Sequence, residues 1–133
     1  MFIGKNVADA SAIIAYHNKE IFLQLRSNKS TIFYPKFWGC FGGARKTDET
    51  FLSAAFREFN EETSIPIKKK DLIFFFKMKF YSKNKKFNFS RIFYLLKIKD
   101  KKEFKKNFVL GEGQSGRFFN FNHYKIGRAP GRE

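Results

Sequence analysis

The chain has 133 residues, with 27 lysines and arginines against 12 aspartates and glutamates, a net charge of +15, and 43% hydrophobic residues. That length holds one compact domain, and the hydrophobic content excludes wholesale disorder. Its longest apolar runs, such as Leu72–Phe76, fall far short of the roughly 20 residues of a membrane-spanning helix. No basic region leads into an apolar stretch near Met1, and Cys40 is the sole cysteine, which excludes an internal disulfide and a cysteine-based zinc site. The expectation is a soluble cytoplasmic protein with no membrane partner.

In chain order, residues 7–16 and 20–26 read as strands, with His17-Asn18-Lys19 supplying hairpin turn chemistry between them. Residues 27–36, rich in Ser, Asn and Lys and closed by Pro35, read as a loop. Residues 37–41 form a short apolar strand ending at Gly42-Gly43, and from 48 to 63 the apolar period becomes helical. Phe51, Leu52, Phe56 and Phe59 share one helix face, Thr47 or Asp48 caps the start, and Pro66 stands past the end. Residues 71–81 and 89–98 read as long strands around a basic turn at 82–86. A charged connection at 99–107, a loop at 111–114 and a last strand at 117–121 complete the domain, which spans residues 1–126. The tail 127–133 has neither pattern and reads as frayed or truncated. Many strands around a central helix make an α+β domain with a mixed sheet.

Two readings of the charge stand side by side. The chain has 20 Phe and 20 Lys, both encoded by A/T-rich codons, so genome bias can produce the composition; a charge of this size also attracts anions and nucleic acid. The placement of the acids says more. Asp48, Glu49, Glu58, Glu61 and Glu62 gather five carboxylates into residues 48–62, opposed there only by Arg57, inside an otherwise basic chain. On a helix advancing about 100° per residue, Glu58, Glu61 and Glu62 share one arc of about 100°. Like charges at these spacings destabilise a helix by a few tenths of a kcal/mol per pair. A hard divalent cation resolves that repulsion, while a solvated acidic face is the plainer alternative. Arg57 points about 100° away from Glu58 and can pair with only part of the cluster.

Gly43, Glu49 and the run Arg57-Glu58-Phe59-Asn60-Glu61-Glu62-Thr63-Ser64-Ile65 resemble the Nudix box, Gly-x5-Glu-x7-Arg-Glu-hydrophobic-x-Glu-Glu-x-Gly-hydrophobic. Every defining position matches except the last glycine, which is Ser64 here. Gln24-Leu25-Arg26, Tyr34-Pro35, Trp38-Gly39 and Gly42-Gly43 resemble the approach to the box in small bacterial members, and Gly111-Glu112-Gly113-Gln114 is similar with lower specificity. The resemblance implies a Nudix fold, an α/β/α sandwich, and hydrolysis of a nucleoside diphosphate linked to another moiety. It implies Mg²⁺ or Mn²⁺ on Glu58, Glu61 and Glu62 with the Gly42 carbonyl, Arg57 orienting the carboxylates, and Glu49 supporting the loop beside Gly43. Glu61 is the first choice as general base, because Glu58 and Glu62 make the better metal pair; Glu112 is the alternative. At Ser64 a glycine would serve as a left-handed cap, a conformation costing other residues roughly 1–2 kcal/mol.

Other candidates carry two roles each. Trp38 and Tyr34 either stack on a nucleobase or pack in the core, the latter favoured for Trp38 beside Phe37 and Phe41. Arg26, at a strand end, and Arg45 and Lys46, in the loop before the helix, reach substrate phosphates or simply face solvent. Cys40 is a small buried hydrophobe rather than a nucleophile. His17 and His123 read as surface residues. Lys83, Lys85 and Lys86 with Phe87 and Phe89 mimic a nucleic-acid surface, with a hairpin tip over core phenylalanines the preferred account. The substrate expected is a small nucleotide, a nucleoside triphosphate or nucleotide sugar. The rivals are an RNA 5′-end pyrophosphohydrolase, which the charge would suit, and a Nudix-fold nucleotide-binding module without turnover. Oligomeric state is not readable from the chain.

Overall fold

The first two strands, β1 (Ala10–His17) and β2 (Glu20–Leu25), form the expected hairpin, and Asn18 at its turn takes a left-handed backbone with φ 53°. Asparagine tolerates that conformation better than most residues. In this computed structural model, residues 9–25, 38–81, 88–108 and 115–120 are described. Arg26, Tyr34, Lys83, Lys85, Lys86, Phe87, Glu112, His123 and the tail 127–133 therefore lie outside the described residues.

The remaining elements are β3 (Trp38–Gly39), β4 (Phe41–Ala44), α1 (Phe51–Glu62), a 3-10 turn (Lys69–Asp71), β5 (Leu72–Tyr81), β6 (Asn88–Lys97), α2 (Lys101–Lys106) and β7 (Gly116–Asn120). All seven strands join one mixed sheet, with β3, β2, β1, β6 and β5 in that order. Among the described residues only the β1–β6 pairing is parallel, running from Ala10 opposite Arg91 to Tyr16 opposite Lys97. Its two ends are pinned: the Ser90 N–H donates to Asp9 Oδ1 at 2.8 Å, and His17 Nδ1 donates to the Ile98 carbonyl at 2.8 Å. His17, read from the sequence as a surface residue, is thus a latch for β1.

With β6 along one edge of β1, the other edge is shared. β4 takes Ala10–Ile13 and β2 takes Ala15–His17, so the sheet divides there. This division splits the single strand expected over 37–41. Trp38-Gly39 follows β2, the chain changes partner at Cys40, and Phe41–Ala44 follows β1, carrying Gly42 and Gly43 inside a strand instead of beyond its end.

Helix α1 starts three residues later than expected. Thr50, not Thr47 or Asp48, is the cap, its hydroxyl accepting from the Ser53 N–H at 3.0 Å. The residues before it are held in a turn by Glu49 N–H to the Lys46 carbonyl (3.0 Å) and Lys46 N–H to Glu49 Oε1 (2.9 Å). Ala54, Ala55 and Phe59 are the buried residues of α1, while Phe51, Leu52 and Phe56 pack partly buried against the same core. Ser11, buried in β1, donates to the Phe51 carbonyl at 2.7 Å and fixes the helix over the strand.

The end of α1 corrects the expectation for Ser64. Among the described residues only Asn18 and Gly42 have positive φ. Thr63 caps the helix in an extended conformation (φ −140°), its hydroxyl donating to the Phe59 carbonyl and accepting from the Ile65 N–H, both at 3.1 Å. With no left-handed residue at the turn, Ser64 bears no cap penalty.

A second departure is α2, which lies inside the stretch read as a charged connection. Asp100 caps it by accepting from the Glu103 N–H at 3.0 Å, and Phe104 is buried. Phenylalanine dominates the core: the buried Phe22 ring meets Phe104, Phe108 and Phe118 edge-on at 5.1, 4.8 and 4.9 Å. Among the described residues no helix is long and apolar enough to cross a membrane.

Candidate functional site

Strand β4 runs beneath α1 and places two glycines where side chains could not go. A Cβ on Gly43 would stand 2.5 Å from the Glu58 carboxylate, and one on Gly42 would stand 2.1 Å from the Ser11 carbonyl oxygen. Gly43 therefore makes room for Glu58, and Gly42 (φ 137°) makes room for β1 in a backbone conformation that suits glycine. The Gly42 N–H also donates to Glu62 Oε1 at 3.2 Å, and Gln24 Nε2 donates to the same oxygen at 3.3 Å. Two residues of neighbouring strands thus orient the last carboxylate of the helix.

Arg57 holds the other acids together. Its Nε and Nη2 donate to the two Glu49 oxygens at 2.6 and 2.9 Å, and Nη2 also donates to the Ala44 carbonyl at 3.0 Å. Its Nη1 reaches Glu58 Oε2 at 3.2 Å and Glu61 Oε2 at 3.3 Å. The long side chain overcomes the 100° offset of its Cα. Glu49 joins two roles in one carboxylate: it receives the Arg57 fork and closes the Lys46–Glu49 turn.

The environments of the carboxylates differ. The Glu58 side chain is 18% exposed, and burial raises its pKa above the ordinary glutamate value, against the lowering effect of Arg57 and with a further rise from Glu61. Arg57 hydrogen bonding holds Glu49 down at about 2, and Glu49 in turn lifts Arg57 above its ordinary value. Glu61, with a side chain 55% exposed, is open to solvent.

As a donor set, three glutamates suit a hard divalent cation. Among the described residues, however, no three His, Cys, Asp or Glu side chains are gathered in metal-holding geometry. The contacts account for this: Arg57 holds Glu58 and Glu61, while Gly42 and Gln24 hold Glu62. The donor chemistry fits the ion, and the arrangement is the arginine-held one.

Other candidates fall elsewhere. Arg45 is engaged inside the fold, with Nη2 on Asp9 Oδ2 at 2.7 Å, Nη1 on the Glu49 carbonyl at 2.9 Å, and its guanidinium 5.0 Å from the Phe51 ring centroid. Lys46 is exposed, and its ammonium has no ion pair among the described residues. Trp38 sits opposite Leu25, on the side of β2 away from Gln24 and hence from Glu62. There its ring meets Phe119 edge-on at 5.1 Å under the Arg117 guanidinium, a half-exposed cluster instead of the expected core position. Burial pushes the Cys40 thiol up to about 11, which leaves it unreactive. Two residues have roles that the sequence did not assign. Gln24 is buried, and its signal was a polar residue at an inward strand position; Asp9 anchors Arg45 and Ser90 with no sequence pattern to mark it.

Helix α1, the two glycines and the Arg57 network form the candidate site, and the model of the NUDIX domain matches residues 5–132. The chain belongs to the Nudix family. Among solved structures it is similar to a MutT from a study of the Aliivibrio salmonicida and Vibrio cholerae proteins, with 23% identity, TM-score 0.59, and 93% of this chain and 87% of that chain covered. It is also similar to an Ap4A hydrolase of C. elegans (20%, TM-score 0.56, 90% and 86% covered). A dihydroneopterin triphosphate pyrophosphohydrolase of E. coli is a third neighbour (17%, TM-score 0.60, 84% and 79% covered). Identities this low establish the fold alone. No curated protein sequence matches the chain.

Proposed function

We propose that the chain is a divalent-metal-dependent pyrophosphohydrolase that cleaves a nucleoside diphosphate linked to another moiety, such as a nucleoside triphosphate or a nucleotide sugar. The observation that carries the reading is the Gly43 cradle: a strand glycine admits the half-buried Glu58 carboxylate, while Arg57 ties Glu49, Glu58 and Glu61 into one network. The neighbouring Ap4A hydrolase and dihydroneopterin triphosphate pyrophosphohydrolase support it by fold, and both of those proteins act on a phosphate chain.

Mg²⁺ or Mn²⁺, when bound, would be held by Glu58 and Glu62 with Glu61 and the Gly42 carbonyl, and supplies charge neutralisation and an acidified water. The chain's own groups do the rest. Gln24 and the Gly42 N–H fix Glu62. Arg57 sets Glu58 and Glu61 relative to the Glu49 turn. Glu61, the most exposed carboxylate that Arg57 pairs, accepts the proton of a water attacking phosphorus, with Glu112 as the alternative acceptor. The P–O bond opposite the attacking water breaks, and a phosphorylated leaving group departs. Lys46, exposed beside the turn, meets the phosphate chain. The alternative is a nucleotide-binding module without turnover on the same fold.

One experiment separates the two. Phosphate and pyrophosphate release is measured over nucleoside triphosphates, nucleotide sugars and dinucleotides, with Mg²⁺ or Mn²⁺ and with a chelator. Metal-dependent cleavage that disappears in Glu62→Gln supports the enzyme. Nucleotide binding with no release in any metal overturns it in favour of the module.

A further inference from the structure

Strand β5 is the edge strand beyond β6, and nearly all of it is exposed. Its pairing with β6 is interrupted by a bulge between Phe74 and Phe76. Side chains of a strand alternate between faces, so an extra residue transfers everything after it to the other face. Leu72 and Phe74 lie opposite the buried Leu96 and Tyr94; after the bulge, Lys77, Lys79 and Tyr81 lie opposite Ile92, Ser90 and Asn88 and continue that same face. The face thus reads Phe74, Lys77, Lys79, Tyr81. Phe74 is 58% exposed and Tyr81 62%, both lysines are exposed, and among the described residues neither forms a salt bridge; Asp9, which pairs with Arg45, is close enough to Lys77 for that charge to help lower its carboxyl pKa.

We propose that this strip of β5 binds single-stranded nucleic acid, with bases stacked on Phe74 and Tyr81 and phosphates met by Lys77 and Lys79. Aromatic rings spaced along a basic track are what a strand of bases and phosphates requires, since every base offers a π-face and every linkage a negative charge. At roughly 3.3 Å per strand residue the two rings stand about 20 Å apart, with the cations between them. Charge decides against a second copy of the chain as the occupant. A two-fold contact would set Lys77 and Lys79 against themselves on two molecules each carrying +15. The same lysines discourage strand addition at this edge. A polyanion meets the opposite condition. The inference is independent of turnover at the carboxylates.

The test is fluorescence anisotropy of fluorescein-labelled 12-mers of U and of dT, titrated with the protein in a chelator, so that no cleavage enters the readout. The expected result is saturable binding that weakens with salt. Lys77→Gln with Lys79→Gln should flatten the log–log salt slope by about 1.4. Phe74→Ala and Tyr81→Ala should each weaken binding about fivefold or more, while Tyr81→Phe keeps it. The RNA and DNA arms tell which strand is preferred. The proposal is overturned if neither oligonucleotide binds, or if binding survives both alanine variants and so reflects charge alone. It is likewise overturned if light scattering finds a dimer that Phe74→Ala dissociates. Sedimentation with phosphatidylserine vesicles, lost in the same variants and without oligonucleotide binding, would assign the face to a membrane surface instead.

Discussion

Gly42 and Gly43 are adjacent in one short strand, yet replacing each by alanine should have opposite consequences. At Gly43 the new Cβ would lie 2.5 Å from Cδ and Oε2 of Glu58 and 2.8 Å from Oε1. Ordinary contact distance requires that carboxylate to retreat by about 1 Å, and a flexible side-chain end can do so at a cost of about 1 kcal/mol or less. The retreat pulls Glu58 from its 3.2 Å contact with Arg57. Misplacement of a reacting group by that distance costs about a hundredfold in rate. At Gly42 the obstacles are backbone, the Ser11 oxygen at 2.1 Å and the Ala12 Cα at 2.8 Å, and φ is 137°. Backbone displacement and strain together cost about 3 kcal/mol or more, a loss of about 10 °C in Tm. Thermal unfolding and kcat/KM on the substrate found by the release panel read the two effects separately. Gly43→Ala with full activity, or both variants equally destabilised, would refute the assignment of Gly43 to the Glu58 carboxylate and of Gly42, beyond its contact with Glu62, to the fold.

Three further outcomes are expected. Glu58→Gln should abolish turnover while leaving Tm equal or higher at neutral pH, because burial raises the folded pKa of Glu58 and its ionised form costs stability once pH exceeds that value; a clear fall in Tm would show that the Arg57 contact outweighs burial. For Glu49 the sign is reversed: held at about 2 against an ordinary 4.5, it stabilises the fold above pH 4.5 and loses that contribution as pH falls toward 2. Urea unfolding across that window should show the loss in the natural chain and not in Glu49→Gln; superimposed profiles would remove the pair from the stability of the fold. Ser64→Gly should lower stability by about 0.5–1 kcal/mol, since glycine adds unfolded-state freedom where no left-handed turn asks for it. A gain in Tm would reinstate the left-handed cap.

Much of the site was legible because spacing within one helix is a local property. Glu58, Glu61 and Glu62 needed only the helical period to be placed on one arc, and Gly43 and Glu49 only their distance from it. What the sequence withheld was set by distant partners. Thr47, Asp48 and Thr50 are all good caps, and the choice among them falls to Glu49, whose carboxylate closes the turn before the helix and takes Arg57 from eight residues on. The break at Cys40 comes from β1 having two successive partners on one edge, which no window of residues 37–44 contains. Helix α2 has six residues, four of them lysines, so its period was masked by charge; the Asp100-x-x-Glu103 spacing and Phe104 were its only signs. Gln24 was visible as part of a resemblance, but its bond to Glu62 crosses from one strand to the helix end.

The parallel pairing of β1 with β6 joins residues 81 apart in the chain. On the ribosome, the β1–β2 hairpin forms within microseconds of emerging, while synthesis of the chain up to β6 takes about 4–16 s more at 5–20 residues per second. For that interval one edge of β1, lined by Ala10, Ala12 and Ile14, stands open as a template for any other extended segment. Newly made chains are therefore most exposed to mispairing before the second half of the protein arrives.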